Sequence, residues 1–165
     1  MATEEAKYEL VSKNDIYEIR KYSDRLAVET IASNQSYSFR KLYNYISGGN
    51  EKKQKIEMTT PVTVIEKSGV MTMQFYLPKV FVESNVPVPA EADVRIIKIE
   101  EGYYAVLRYS GRSSDANFIK YKEILEKELS RNNISIIGNP IRATYNSPFT
   151  LPPFRRNEAM FKINY

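Results

Sequence analysis

The stretch that decides the fold is YEIRKYSDRLAVETIASNQSYSFRKLYNYISGG, Tyr17 to Gly49. From Tyr17 to Ala32 apolar and polar residues alternate well enough for two strands, and Ser23-Asp24 supplies a turn between them. A helix is predicted next. Ser36 suits its N-cap, Phe39, Leu42, Tyr43 and Ile46 fall at helical spacing on one face, and Gly48-Gly49 gives the stop. Working outward, Ile56 to Ile65 and Val70 to Leu77 read as a hairpin around Lys67-Ser68-Gly69. In its second strand Met71, Met73, Phe75 and Leu77 point one way, and Thr72, Gln74 and Tyr76 the other.

Between Pro78 and Pro89 three prolines stiffen an extended connection. The pattern then starts again. Val94 to Glu100 and Tyr104 to Tyr109 read as a strand pair across Glu101-Gly102. Ser114 opens a longer helix with Phe118, Tyr121, Leu125 and Leu129 inward, ended near Asn132-Asn133, and strands follow at Ile141 to Tyr145 and Glu158 to Ile163. The chain therefore reads strand, strand, helix, strand, strand, twice, which predicts an α+β fold from an internal duplication. Tyr17 to Ser33 corresponds to Val94 to Ser110, and Phe39 to Ile46 to Phe118 to Leu125. The repeats run over about residues 8–78 and 93–165 of a single domain spanning 1–165. Neither repeat covers a sheet face alone, so both helices are expected against shared antiparallel strands curved towards a barrel.

Composition narrows the chemistry. With no Cys and no His, the 165 residues hold no disulfide, no zinc site, no Cys-His nucleophile and no Ser-His-Asp triad. The commonest iron ligand, imidazole, is missing as well. The net charge of +4 is spread along the chain, which argues against nucleic acid as a partner. No apolar run reaches the roughly 18 residues of a membrane span. MATEEAKYEL has neither the basic nor the apolar part of a secretory signal, and Ala2 stands where myristoylation needs glycine. Cytoplasmic localisation without membrane insertion is the expectation.

Five words stand in fixed order: YEIRKY (Tyr17 to Tyr22), KIEMTTPVT (Lys55 to Thr63), VLRYSG (Val106 to Gly111), YNSP (Tyr145 to Pro148) and RRNE (Arg155 to Glu158). Together they resemble the SOUL/haem-binding protein family, from about Tyr8 to the C-terminus. The resemblance implies a distorted eight-stranded antiparallel β-barrel of duplicated β-β-α-β-β units flanked by two helices. That is also the fold of small-molecule-binding domains in some bacterial transcription regulators. As ligand it implies haem or another tetrapyrrole, held in an apolar groove for buffering or transport.

The residues the resemblance singles out carry two readings each. Met58, in the M-T-x-P-V word, reads as core packing beside a proline and, second, as a haem axial ligand, a role a tyrosine also suits. Lys21 stands where some family members have a histidine associated with haem ligation. A protonated amine is a poor iron ligand, so an exposed lysine is the expectation, with binding by apolar contact in place of histidine ligation. Arg155 and Arg156 match haem propionates, or else one pairs with Glu158 and pins the last strand. Arg40 and Lys41, on the first helix, are comparable propionate candidates or else its solvated face, and Leu42 and Tyr43 beside them are candidate ligand contacts. Burying a few hundred Å² of macrocycle at about 25 cal/mol per Å² gives on the order of 10 kcal/mol before association costs. Binding without an iron ligand is thus physically sufficient.

No catalytic constellation is visible, and the expectation is a non-enzyme. Glu29, Glu57, Glu100 and Glu158 are not paired by spacing, although a Glu with a Tyr would permit acid-base work on a small apolar ligand, as the wider superfamily allows. A protein-interaction module without a small ligand is the third reading.

Overall fold

The computed structural model describes residues 3–147 and 149–165; Ala2 and Pro148, which entered the readings above, lie outside them. The chain divides into two compact units. One comprises Asp24–Glu100 with the N-terminal segment up to Ala6, and the other Lys7–Ser23 with Glu101–Tyr165.

In the first unit, β1 (Glu4–Glu5) lies parallel to β5 (Thr59–Thr60), and β4 (Arg25–Ala32), β6 (Val62–Lys67), β7 (Val70–Tyr76) and β8 (Val94–Ile99) form antiparallel pairs in the order β6-β7-β4-β8. Helix α1 (Gln35–Ile46) covers one face, packing Leu42, Tyr45 and Ile46 on Val28, Met73, Phe75 and Val94. The second unit holds β2 (Tyr8–Lys13), β3 (Glu18–Tyr22), β9 (Gly102–Tyr109), β10 (Ser135–Thr144) and β11 (Asn157–Asn164), in the order β2-β3-β9-β11-β10. Helix α2 (Asp115–Arg131) lays Leu125 and Leu129 on Ile19, Ala105, Leu107, Ala159 and Phe161.

The α+β class and the duplication are present, and the units match strand for strand: β6-β7-β4-β8 in one answers β10-β11-β9-β3 in the other. One expectation is corrected. The stretches Val94 to Glu100 and Tyr104 to Tyr109 do not pair with each other; β8 pairs with β4, and β9 with β3 and β11. The first repeat lends β2 and β3 to the second unit and the second repeat lends β8 to the first, so the compact units are cut differently from the sequence repeats. A short gap between two strands looks like a hairpin, but β8 and β9 pair instead with β4 and β3, more than 60 positions away. Neither unit closes into a barrel on its own.

Local chemistry explains the element ends. Asn34, not Ser36, caps α1, its Oδ1 accepting from the Tyr37 N–H at 3.0 Å. Beyond Ile46 the chain turns back so closely that a Cβ at Gly49 would stand 2.7 Å from the Asn44 carbonyl oxygen. Ser114 caps α2 as expected, with Asp115 in its first turn and Arg131 in its last, each favourable to the helix dipole. Asn133 then adopts a left-handed φ of 57°. The β6-β7 turn is at Ser68-Gly69, both with positive φ. No helix among the described residues is long and apolar enough to cross a membrane.

Candidate functional site

On α1 the core face is Ser38, Leu42, Tyr45 and Ile46. The helix turns about 100° per residue, so Phe39 and Tyr43 fall on its flank and not, as expected, among the core residues. Phe39 remains 40% exposed and Tyr43 52% exposed. Their rings stack with centroids 6.1 Å apart and planes 14° apart, and Phe39 is fixed beneath by an edge contact to Phe75 at 5.2 Å. A ring pair propped on the core in this way presents a flat, half-exposed aromatic surface. Arg40, on the same flank, is exposed and makes no ion pair among the described residues. Lys41 is engaged by Asp93, and its ammonium lies 4.6 Å from the Tyr37 ring centroid.

Leu42 is corrected as a ligand contact. It is wholly buried against Val28, Phe75 and their neighbours, and its role is packing. Met58 is half-buried and packs against the same cluster. Nearby, the Tyr45 hydroxyl donates to the Pro87 carbonyl at 2.6 Å, and burial pushes its pKa up to about 12.

In the second unit two of the sequence words close on each other. Arg20 of YEIRKY and Glu158 of RRNE, 138 positions apart, form a fork: Nη1 donates to Oε1 at 2.9 Å and Nη2 to Oε2 at 2.8 Å. Arg20 is 2% exposed and Glu158 0%. Two further Arg20 donors are used, Nε by Glu18 at 2.7 Å and Nη1 also by the Tyr22 hydroxyl at 3.0 Å, while Tyr8 covers the guanidinium at 4.1 Å. Burial opposes the charge on both partners, yet their mutual hydrogen bonds and attraction outweigh it. Arg20 is held above its ordinary pKa, and Glu158, with Arg156 adding its charge, below the usual carboxylate range. Burial, then the Glu158 charge, lifts the Tyr145 phenol.

Arg156 takes the structural reading: Nε and Nη2 donate to Glu158 Oε2 at 3.2 and 3.1 Å, and its guanidinium lies 3.7 Å from the Tyr145 ring centroid. Arg155 is half-buried, with Nε donating to the Thr150 carbonyl at 2.9 Å. Lys21 is half-buried on β3, its ammonium 5.7 Å from the Tyr103 centroid. Of the predicted site residues, then, Arg40 and Tyr43 share one surface, Leu42 and Met58 belong to the packing beneath α1, and Lys21, Arg155 and Arg156 lie in the other unit. Sequence reading missed Phe39 as the partner of Tyr43, although their i, i+4 spacing carries that signal. It also missed Arg20, whose partner is too distant in sequence for spacing to reveal.

A family profile described as SOUL heme-binding protein matches residues 3–162. The mouse protein named Heme-binding protein 2 is 30% identical over 152 residues, covering 82% of this chain and 72% of the mouse protein. The human protein of the same name is 30% identical over 162 residues, covering 89% and 77%. Among solved structures, the EcmrR C-terminal domain is similar with a TM-score of 0.68 at 10% identity, over 95% of this chain and 98% of that one, a likeness of fold alone. With its signature words joined by Arg20 and Glu158 and the profile matched nearly end to end, the chain belongs to the SOUL heme-binding protein family.

Proposed function

We propose that this protein binds haem or a related tetrapyrrole in about one-to-one ratio, without histidine ligation, for buffering or transport in the cytoplasm. The observation that carries the reading is the half-exposed, stacked Phe39–Tyr43 pair with the exposed Arg40 beside it, which makes no ion pair among the described residues, in a chain of this family. A macrocycle face suits the rings, and a propionate suits the guanidinium. Met58, through its thioether, and Tyr43, through its phenol oxygen, are the side chains of α1 and the packing beneath it that would hold the iron of haem. A binding role fits better than catalysis because the buried carboxylates are already engaged, Glu29 by Gln74 and Arg95 and Glu158 by Arg20 and Arg156.

Titration with haemin and with metal-free protoporphyrin tests the reading. Both are expected to saturate near one equivalent with affinities within about tenfold of each other, since apolar burial and stacking act on either. Phe39→Ala with Tyr43→Ala should weaken both by roughly tenfold or more. Arg40→Gln should weaken the free acids and leave a dimethyl-ester porphyrin unaffected, while Lys21→Ala changes little. Absence of saturable binding to either ligand would overturn the proposal.

A further inference from the structure

The segment between β10 and β11 displays apolar side chains to solvent. Phe149 is 94% exposed, Leu151 64% and Phe154 74%. Solvent-facing apolar groups this close together are seldom neutral features of a surface. Nor is the tip a frayed end. Thr150 N–H donates to the Ser147 carbonyl at 3.0 Å, Phe154 N–H to Leu151 at 2.9 Å, and Arg155 N–H to Pro152 at 3.2 Å, closing the short helix Pro152–Phe154. The Gly111 N–H donates to the Pro152 carbonyl at 2.8 Å, which fastens the tip to the end of β9. The fold holds these side chains outward instead of tucking them in.

The surroundings are basic. Arg112 follows the Gly111 anchor and Arg108 lies three residues before it; both are exposed, and neither makes an ion pair among the described residues. Two carboxylates lie near these arginines: Asp115 on α2's first turn is engaged by Arg142 at 2.6 Å, and Glu158, opposite Arg108 across the β9-β11 pair, is buried and engaged by Arg20 and Arg156. We propose that Phe149, Leu151 and Phe154 insert shallowly into negatively charged lipid bilayers, with Arg108 and Arg112 meeting the lipid headgroups. Separate protruding side chains suit a fluid apolar phase, which needs no matching pockets, and the bare arginines supply the charge complementarity. That no helix among the described residues is long and apolar enough to cross a membrane does not exclude attachment to its surface. This inference is independent of tetrapyrrole binding.

Flotation of the full chain with vesicles of phosphatidylcholine alone, and of phosphatidylcholine mixed with phosphatidylserine, tests it. The protein is expected to float with the mixed vesicles, less so with the neutral ones, and less again at high salt. Replacing Phe149, Leu151 and Phe154 together by serine should reduce binding by about tenfold or more without lowering the melting temperature. Arg108→Gln with Arg112→Gln should reduce binding to the mixed vesicles only. Because the chain has no tryptophan, Phe149→Trp places a single reporter at the tip. Its emission should shift to the blue on adding mixed vesicles and be quenched by brominated acyl chains. Failure of the wild type to float, equal binding by the serine variant, or an unmoved tryptophan emission would each overturn the proposal.

Discussion

Replacing Glu158 by alanine is expected to cost about 3 to 5 kcal/mol of folding stability, because it leaves the Arg20 guanidinium buried without its counter-charge. The carboxylate is wholly buried and takes both arms of Arg20 at 2.8 and 2.9 Å together with two donors from Arg156, so its loss leaves several charged donors without their acceptor. Arg20→Met with Glu158→Leu should cost much less than either single change, since desolvation of both charges disappears together. Arg156→Gln, removing a half-buried arm, should cost less than losing Glu158. The pH dependence has a definite sign. The Glu158 pKa is depressed in the native state, so its contribution is complete above the ordinary carboxylate value of about 4.3 and is lost as pH falls through the lower native value. Urea unfolding at neutral pH and at successively lower pH measures both effects, and Glu158→Gln should remove this part of the acid sensitivity. A loss under about 1 kcal/mol for Glu158→Ala would show the pair to behave like an exposed one.

How much of this was legible in the sequence depends on the range of the interaction concerned. The α2 cap at Ser114, the stop at Asn132-Asn133 and the turn at Ser68-Gly69 are local, and the residue types report them directly, whereas Ser23-Asp24, read as a turn, joins β3 and β4, which do not pair with each other. The alternation in β7 was also correct, with Met73 and Phe75 in the core. Yet Gln74 and Tyr76 on its other face are buried too, which a polar-versus-apolar reading takes for a wet face. β10 begins at Ser135, earlier than predicted, because Gly138-Asn139-Pro140 reads as a break and is in fact an irregularity inside one strand. β2 escaped notice because five of its six residues are exposed and leave no periodic signal. The candidate site shows the same division. Arg40 and Tyr43 are neighbours on a helix surface and could be grouped from spacing, whereas a small rotation of the buried stripe keeps Leu42 and Ile46 in the core and leaves Phe39 and Tyr43 on the flank. Which strand pairs with which, and that Arg20 meets Glu158, are long-range facts that no local pattern carries.

That strand exchange shapes the remaining large effect. Leu42→Ala and Leu125→Ala are each expected to cost roughly 2 to 5 kcal/mol, since both leucines have no exposed surface and truncation leaves a cavity against a helix-sheet core in addition to the lost transfer energy. Leu125→Met, which nearly conserves volume, should cost under about 1.5 kcal/mol. Although the two leucines lie in different units, both substitutions should lower one common unfolding transition. The first unit needs β8 from the second repeat and the second needs β3 from the first, so neither can be completed from its own repeat alone. For the same reason a chain ending before Val94 should fail to fold, as it lacks the strand that lines β4. Differential scanning calorimetry with far-ultraviolet circular dichroism checks this. If Leu42→Ala splits the melt into two steps, with the unit of Leu125 surviving to the wild-type temperature, the exchanged strands do not bind the repeats into one cooperative structure.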